Sequence, residues 1–454
     1  MKSTFILLIA FFSSFSALAS FPPDSTSSVI EKGTAQYLIT EGRRLYAEGQ
    51  YQIALVKFRE ALDKDARNAV ATYWLAECHL ALGNYEKARD YAEQAIALKI
   101  DVYVESGYLL GKCYHRLGEL DKAIENYNKA LELATESRAK DLRIKFHIEE
   151  CERAKEMIKT PINVRITAMS MNINSAFDDY APLLSPDGKA FYFVSRRADN
   201  LGGGISSGDN RYFEDIYICF WDETSQSWGE SSNSDETIKR LNSYGMDAIN
   251  YISSDGKTLY LTINTMGLKS PKPKTKHSDI FISKINNKGG WNTPRPLDKP
   301  ICTTFFEAAA TFTEDGKTVY FVSERIGGEG AADIWTSTKD GQEWSKPTNM
   351  GKIINTIGQE TTVFITPDGK YLFFSSTGHK GMGGYDVYVT TKTEGGWAEP
   401  MNLGYPLNTV SDETHFVYYP KLNKAFYSTF SSTANKGIGG RDLFEVDMTN
   451  VKLP

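Results

Sequence analysis

Apolar and polar positions follow two different periods along this chain. From residue 33 to about 158 the apolar residues return at helical spacing, and Ile144, Ile148, Cys151 and Ile158 form one such stripe. Beyond Pro161 the pattern alternates, as in Phe191-Tyr192-Phe193-Val194-Ser195 and Val319-Tyr320-Phe321-Val322-Ser323, which predicts half-buried strands. Turn signals precede these runs at Ser185-Pro186-Asp187-Gly188, Ser254-Asp255-Gly256, Glu314-Asp315-Gly316 and Pro367-Asp368-Gly369. Glycine there takes the left-handed position that closes a hairpin.

A larger period organises the strands. Asp215-Ile216-Tyr217, Asp279-Ile280-Phe281, Asp333-Ile334-Trp335, Asp386-Val387-Tyr388 and Asp442-Leu443-Phe444 lie 64, 54, 53 and 56 residues apart. About four strands fit in each unit, the requirement of a β-propeller blade. Fourth strands are expected near Trp228, Trp291, Trp344 and Trp397, but the fifth unit ends before reaching one. Val164-Arg165-Ile166-Thr167, at the opposite end of this region, reads as the missing strand. Five blades closed into a ring over 162–454 are therefore expected, because closure removes sheet edges.

The helical part repeats as well. Gly42, Leu45, Gly49, Tyr51, Ala54, Phe58 and Ala61 are matched by Ala76, His79, Gly83, Tyr85, Ala88, Ala92 and Ala95. Gly111, Tyr114, Gly118, Leu120, Ala123, Tyr127 and Ala130 match them again, in steps of 34 and 35. This spacing resembles the tetratricopeptide repeat, with three repeats and a capping helix over 33–158. The expected fold class is an α-solenoid followed by an all-β five-bladed propeller. The resemblance implies a concave face, lined by the first helix of each repeat, that binds extended peptides or partner helices. By register that face carries Arg43, Tyr46, Tyr73, Glu77, Tyr108, Lys112, His115 and Arg116, with Ile39 and Leu80. A solvated face, or one packed on the propeller, is the competing expectation.

The blade motifs, with Ala181-Pro182-Leu183-Leu184-Ser185-Pro186-Asp187-Gly188-Lys189 and the Asp runs after glycine-rich loops, resemble the WD40-like repeats of TolB-type propellers and of Bacteroidota envelope proteins. The order of parts is similar to an OmpA-family component of the type IX secretion machinery, here without an OmpA-like domain. That resemblance implies protein or peptide partners in the cell envelope and a role in assembling envelope or secretion components.

Lys2, the apolar run Phe5 to Phe12 and Ala17-Leu18-Ala19 read as a signal peptide over 1–19, with a linker over 20–32. The run is shorter than the ~20 residues of a membrane span, and Ser20 and Phe21 follow in place of a lipid-bearing cysteine. A periplasmic or secreted protein without a span in its mature chain is expected. In 454 residues the net charge of −6 shows no basic excess, which argues against nucleic acid as a partner. Five cysteines, an odd number, suggest buried free thiols in place of a disulfide framework.

Candidate chemistry centres on five acids. Asp179, Asp247, Glu307, Glu360 and Glu413 each stand eight residues before a turn. Five residues before each acid is Asn174, Asn242, Cys302, Asn355 or Asn408, always followed by Ser or Thr. In a propeller this puts the acids at the starts of the innermost strands, around the channel mouth. Three readings stand: acids that hold loops within their own blades, a cation or ligand site, and a glycosidase pair, the last without an asymmetric set to carry it. Gly204-Ile205-Ser206-Ser207-Gly208 has the serine-hydrolase pattern but no following helix. The histidines show no zinc spacing, and Lys272-Pro273-Lys274-Thr275-Lys276 reads as a solvated loop. A non-enzymatic scaffold without metal or cofactor is the expectation, with a carbohydrate-active propeller as the alternative.

Overall fold

The computed structural model describes residues 28–98, 106–206, 208–264, 278–432 and 434–454. The signal segment 1–19, most of the linker and the basic loop 272–276 lie outside the described residues.

Helices α1 (Val29–Ala47), α2 (Tyr51–Lys64), α3 (Ala69–Ala81), α4 (Tyr85–Leu98), α5 (Ser106–Arg116) and α6 (Leu120–Leu133) form three antiparallel pairs. Small residues set how closely each pair approaches. A Cβ on Gly111 would fall 2.6 Å from the Tyr127 ring, and one on Gly42 would fall 2.6 Å from Phe58. Both rings are fully buried, and burying a ring of this size contributes about 2–3 kcal/mol. Two further helices, α7 (Glu136–Asp141) and α8 (Ile144–Lys159), follow, separated by Arg143 at φ 53°. Ile144 and Cys151 of the expected stripe are buried, whereas Ile158 is 41% exposed. The stripe ends a turn early because Ala154 takes the last buried position.

Among the described residues the β region forms five antiparallel sheets. Their innermost strands are Asp179–Leu184, Met246–Ile252, Glu307–Phe312, Glu360–Ile365 and Thr414–Tyr419, and each contacts the next around a closed ring. Closure occurs as the pattern predicts. Arg165–Ala168 pairs antiparallel with Arg441–Asp447, Ile166 opposite Val446, and completes the fifth sheet. Met169 N then donates to Leu443 O at 2.9 Å. In the first four turns after the innermost strands the aspartate accepts from the lysine N–H two residues on, as Asp187 does from Lys189 at 3.1 Å. The fifth turn lacks glycine, and Asn423 takes the left-handed conformation at φ 49°. All five cysteines are buried and free.

The helical array stands on the propeller by the turns between its paired helices. At the first turn Gln52 N donates to Gly208 O at 3.0 Å. At the second, Arg211 Nη2 reaches Leu82 O at 3.5 Å. At the third, His115 Nε2 lies 2.7 Å from Met382 O, and Arg116 Nη2 pairs with Asp412 at 2.8 Å. The Met382 side chain is fully buried within the helical core, beside Tyr405 and Val410.

Candidate functional site

Three innermost strands begin with their acid, Asp247 follows Met246 in the second, Glu413 directly precedes Thr414 of the fifth, and all five acids are fully buried. Backbone and hydroxyl donors from the Ser or Thr four residues earlier hold each one. Thr356 N and Oγ1 reach Glu360 at 2.9 and 2.7 Å, and Thr409 reaches Glu413 at 2.9 and 2.7 Å. Ser175 and Ser243 serve Asp179 and Asp247 in the same way. The end of the second strand adds donors, Ser376 to Glu360 at 2.7 Å and Thr429 to Glu413 at 2.8 Å. Arginines complete two sites, Arg197 with Asp179 at 3.3 Å and Arg325 with Glu307 at 3.1 Å. Burial pushes the carboxyls of Asp247, Glu360 and Glu413 up to about 7, against the hydrogen bonds that favour the ionised form. Hydroxyl, backbone and arginine donors of its own blade thus hold each acid.

The preceding asparagines join one blade to the next. Asn355 Oδ1 accepts from Ile334 N at 2.8 Å, and its Nδ2 donates to Ile334 O at 2.9 Å. Asn174 clamps Leu443, Asn242 clamps Ile216 and Asn408 clamps Val387 in the same two-bond fashion. Every clamped residue follows a repeated aspartate. Those aspartates in turn accept from the glycine-rich loops, Asp386 from Met382 N at 2.9 Å and Asp333 from Glu329 N at 2.7 Å. The third seam is weaker, since Cys302 offers only its thiol to Ile280 O at 3.3 Å. Asn355→Ala is expected to lower unfolding free energy by about 2–4 kcal/mol, because it strands a buried N–H. Cys302→Asn, which gives the third seam the amide of the other four, is expected to add about 1 kcal/mol there. Urea unfolding of both variants checks the pair, and equal small effects would refute the clamp.

The groove positions divide into two groups. Arg43 lies over the Trp74 ring at 5.4 Å, and Tyr46 meets the same ring edge-on at 5.2 Å. Glu77 accepts from Tyr73 at 2.6 Å and from Tyr46 at 3.4 Å. Lys112 Nζ lies 5.6 Å from the Tyr108 ring, and burial lowers its pKa while Glu77 opposes the shift. Tyr108 Oη is 3.3 Å from His147 Nε2, whose Nδ1 is 2.6 Å from Glu150. None of Arg43, Tyr46, Glu77, Tyr108 and Lys112 contacts the propeller through a hydrogen bond or ion pair among the described residues. His115 and Arg116 form the second group. They were expected on the peptide-binding face, but both are spent on Met382 and Asp412 because the last turn of α5 meets the propeller. Sequence reasoning missed Trp74, His147 and Glu150. Trp74 adjoins a groove tyrosine, and α8 follows the third repeat where a fourth inner helix would stand.

The tetratricopeptide repeat profile matches residues 45–99, and a second profile of that description matches 108–134. The mouse DnaJ homolog subfamily C member 3 is 37% identical over 93 residues, 20% of this chain and 18% of that protein. The mouse BBSome complex member BBS4 is 30% identical over 112 residues, 25% of this chain and 21% of that protein. The chain thus spans about a fifth of the length of these curated relatives. Among solved structures, the Yersinia enterocolitica type III secretion translocator chaperone SycD is 24% identical, with a TM-score of 0.27 over 28% of this chain and 99% of that one. The first repeat domain of Spaghetti, bound to an HSP90 peptide, is 22% identical, with a TM-score of 0.24 over 28% of this chain and 95% of that one. Tetratricopeptide repeats joined to a propeller make this a protein-protein interaction scaffold. No described helix is long and apolar enough to cross a membrane.

Proposed function

We propose that this protein is an exported scaffold of the cell envelope, without catalytic activity of its own, which holds a peptide or helix of a secretion or outer-membrane assembly component. The array grips the propeller by its turns, and among the described residues this leaves Arg43, Tyr46, Glu77, Tyr108 and Lys112 of the inner helices without a hydrogen bond or ion pair to it, with Tyr73 beside Glu77 on the same face. That observation carries the reading. His115 and Arg116 serve the same groove by fixing its orientation. The aromatic floor supplies area at little conformational entropy cost, while Glu77 beside Arg43 and Lys112 favours a partner segment of mixed charge. The five inner-strand acids act in this reading as supports of the hub. The signal segment 1–19, linker 20–32 and periplasmic or secreted location belong to the same proposal, as do the boundaries 33–158 and 162–454.

Crosslinking followed by pull-down of the full chain from envelope fractions tests it. A defined envelope partner is expected with the unmodified chain and is expected to disappear with the Arg43→Glu, Lys112→Glu double variant. Recovery of cytoplasmic proteins alone, or a partner that the double variant retains, would overturn the proposal.

A further inference from the structure

The propeller has a second mouth. The array covers part of the face where the innermost strands begin, whereas a cavity of about 500 Å³ opens where they end. Its walls come from Leu184, Ile252, Phe364 and Ile365, with Tyr251 and Tyr418 among the rings that line it. Tyr419 helps to form it and is fixed there, since Leu184 N donates to its hydroxyl at 2.7 Å. The cavity has the size and the apolar lining of a small-ligand site.

Its charged groups are unequal. Asp187, Glu314 and Asp368 line the mouth, against Lys421 alone. Asp187 and Asp368 use Oδ1 for their own turns, bonding Ser185, Thr366 and the following lysine N–H groups, which leaves Oδ2. Glu314 and Lys421 make no hydrogen bond or ion pair among the described residues. Apolar walls, aromatic faces and an excess of carboxylate at the mouth share one complementary ligand chemistry: an apolar body that carries a cationic head.

We propose that this opposite mouth binds an organic cation of that kind, an alkyl or aryl group bearing a guanidinium or ammonium. The cation is carried by an arginine or lysine beside an apolar residue in a peptide, or by a free amine. The site is separate from the helical groove, so the chain has two binding faces on opposite sides of the ring.

Calorimetric titration of the full chain tests it with four probes: acetyl-Phe-Arg-amide, its citrulline counterpart, acetyl-Phe-Glu-amide and phenethylammonium. Saturable one-to-one binding of the arginine probe is expected, with the citrulline probe weaker by about fivefold or more and the glutamate probe weaker still. Phenethylammonium that matches the arginine probe identifies a free amine as the source, and a much weaker value identifies a peptide. Both outcomes uphold the chemistry. The exposed changes Glu314→Gln with Asp368→Asn should weaken the arginine probe about tenfold, the asparagine keeping its Oδ1 acceptor, and Lys421→Glu should strengthen it. Equal binding of the arginine and citrulline probes, no binding of either cationic probe, or indifference to these variants would overturn the proposal.

Discussion

Glu307→Gln is expected to lower the unfolding free energy by about 3–5 kcal/mol, the largest effect of any inner-strand acid. The carboxylate is fully buried and accepts from Thr303 N and Oγ1, Ser323 Oγ and Arg325 Nη2 at 2.9, 2.6, 3.1 and 3.1 Å. An amide turns one acceptor into a donor facing other donors, and leaves the Arg325 guanidinium without its counter-ion. That guanidinium is itself only 11% exposed, and it is held over Phe321 and Trp335 at 4.8 and 5.5 Å. Its shorter remaining bonds run to Ile301 O at 2.6 Å and to Ser323 Oγ at 3.0 Å, both neutral acceptors. Asp247→Asn is the control. The same position in the second blade has Ser243 as its donor and no arginine, so about 1–3 kcal/mol is expected. Urea unfolding of the two variants measures the difference. A cost for Glu307→Gln no greater than that for Asp247→Asn would show that the arginine pair contributes nothing.

That contrast also shows where sequence reading stopped. The acids were visible because they recur at fixed distance from a turn, and the repeat of Asp215, Asp279, Asp333, Asp386 and Asp442 was sufficient to place five sheets in a ring. The closing strand was visible from spacing alone. What else the acids touch was harder to see, because the second donors to Glu307, Glu360 and Glu413 lie sixteen residues away in sequence across a hairpin. Glu307 faces Ser323, Glu360 faces Ser376 and Asp179 faces Ser195 in the strand register. In four of the five blades a hydroxyl residue stands sixteen positions after the acid, a legible signal that the second blade breaks with Ile263 opposite Asp247. The asparagine clamps needed the third dimension, since each joins the strand of one blade to the loop entering the next.

Packing of the array on the propeller was one of the competing expectations, but the residues that make the joint were not legible. Helical periodicity fixes which residues of α5 face its neighbours, but nothing in it predicts contact with residues nearly three hundred positions later. Arg116 and Asp412 are separated by 296 residues and Arg153 and Gly381 by 228. The inner-helix register placed His115 and Arg116 in the groove, and tertiary packing of the last turn took them from it.

Arg116→Ala is expected to cost about 3 kcal/mol and to split thermal unfolding of the full chain into two transitions, the array melting first. Burial would raise the Asp412 carboxyl, yet Arg116 and Arg441 hold it below the ordinary carboxylate range. Losing Arg116 therefore removes a counter-charge from a mostly buried carboxylate. Gly384→Ala should split the transition as well, because at φ 77° its Cβ would come 2.1 Å from Ser411 O, a backbone atom with little room to move. The joint also carries a pH dependence with a definite sign. His115 is 4% exposed, and burial lowers its pKa from 6.5 to about 4, with Glu150 and the Met382 carbonyl opposing and Arg116 and His147 reinforcing the shift. A chain in which this imidazole is exposed takes up a proton near the ordinary 6.5, whereas the docked one stays neutral until about 4. Docking is therefore at full strength above 6.5 and loses about 3 kcal/mol as pH falls toward 4. His115→Gln, which keeps a donor for Met382 O, should flatten this part of the profile. Calorimetric scans between pH 7 and 5 decide it: a variant profile parallel to the unmodified one would remove His115 from the joint's acid response, and a single transition in Arg116→Ala would mean that the ion pair does not hold the two domains together.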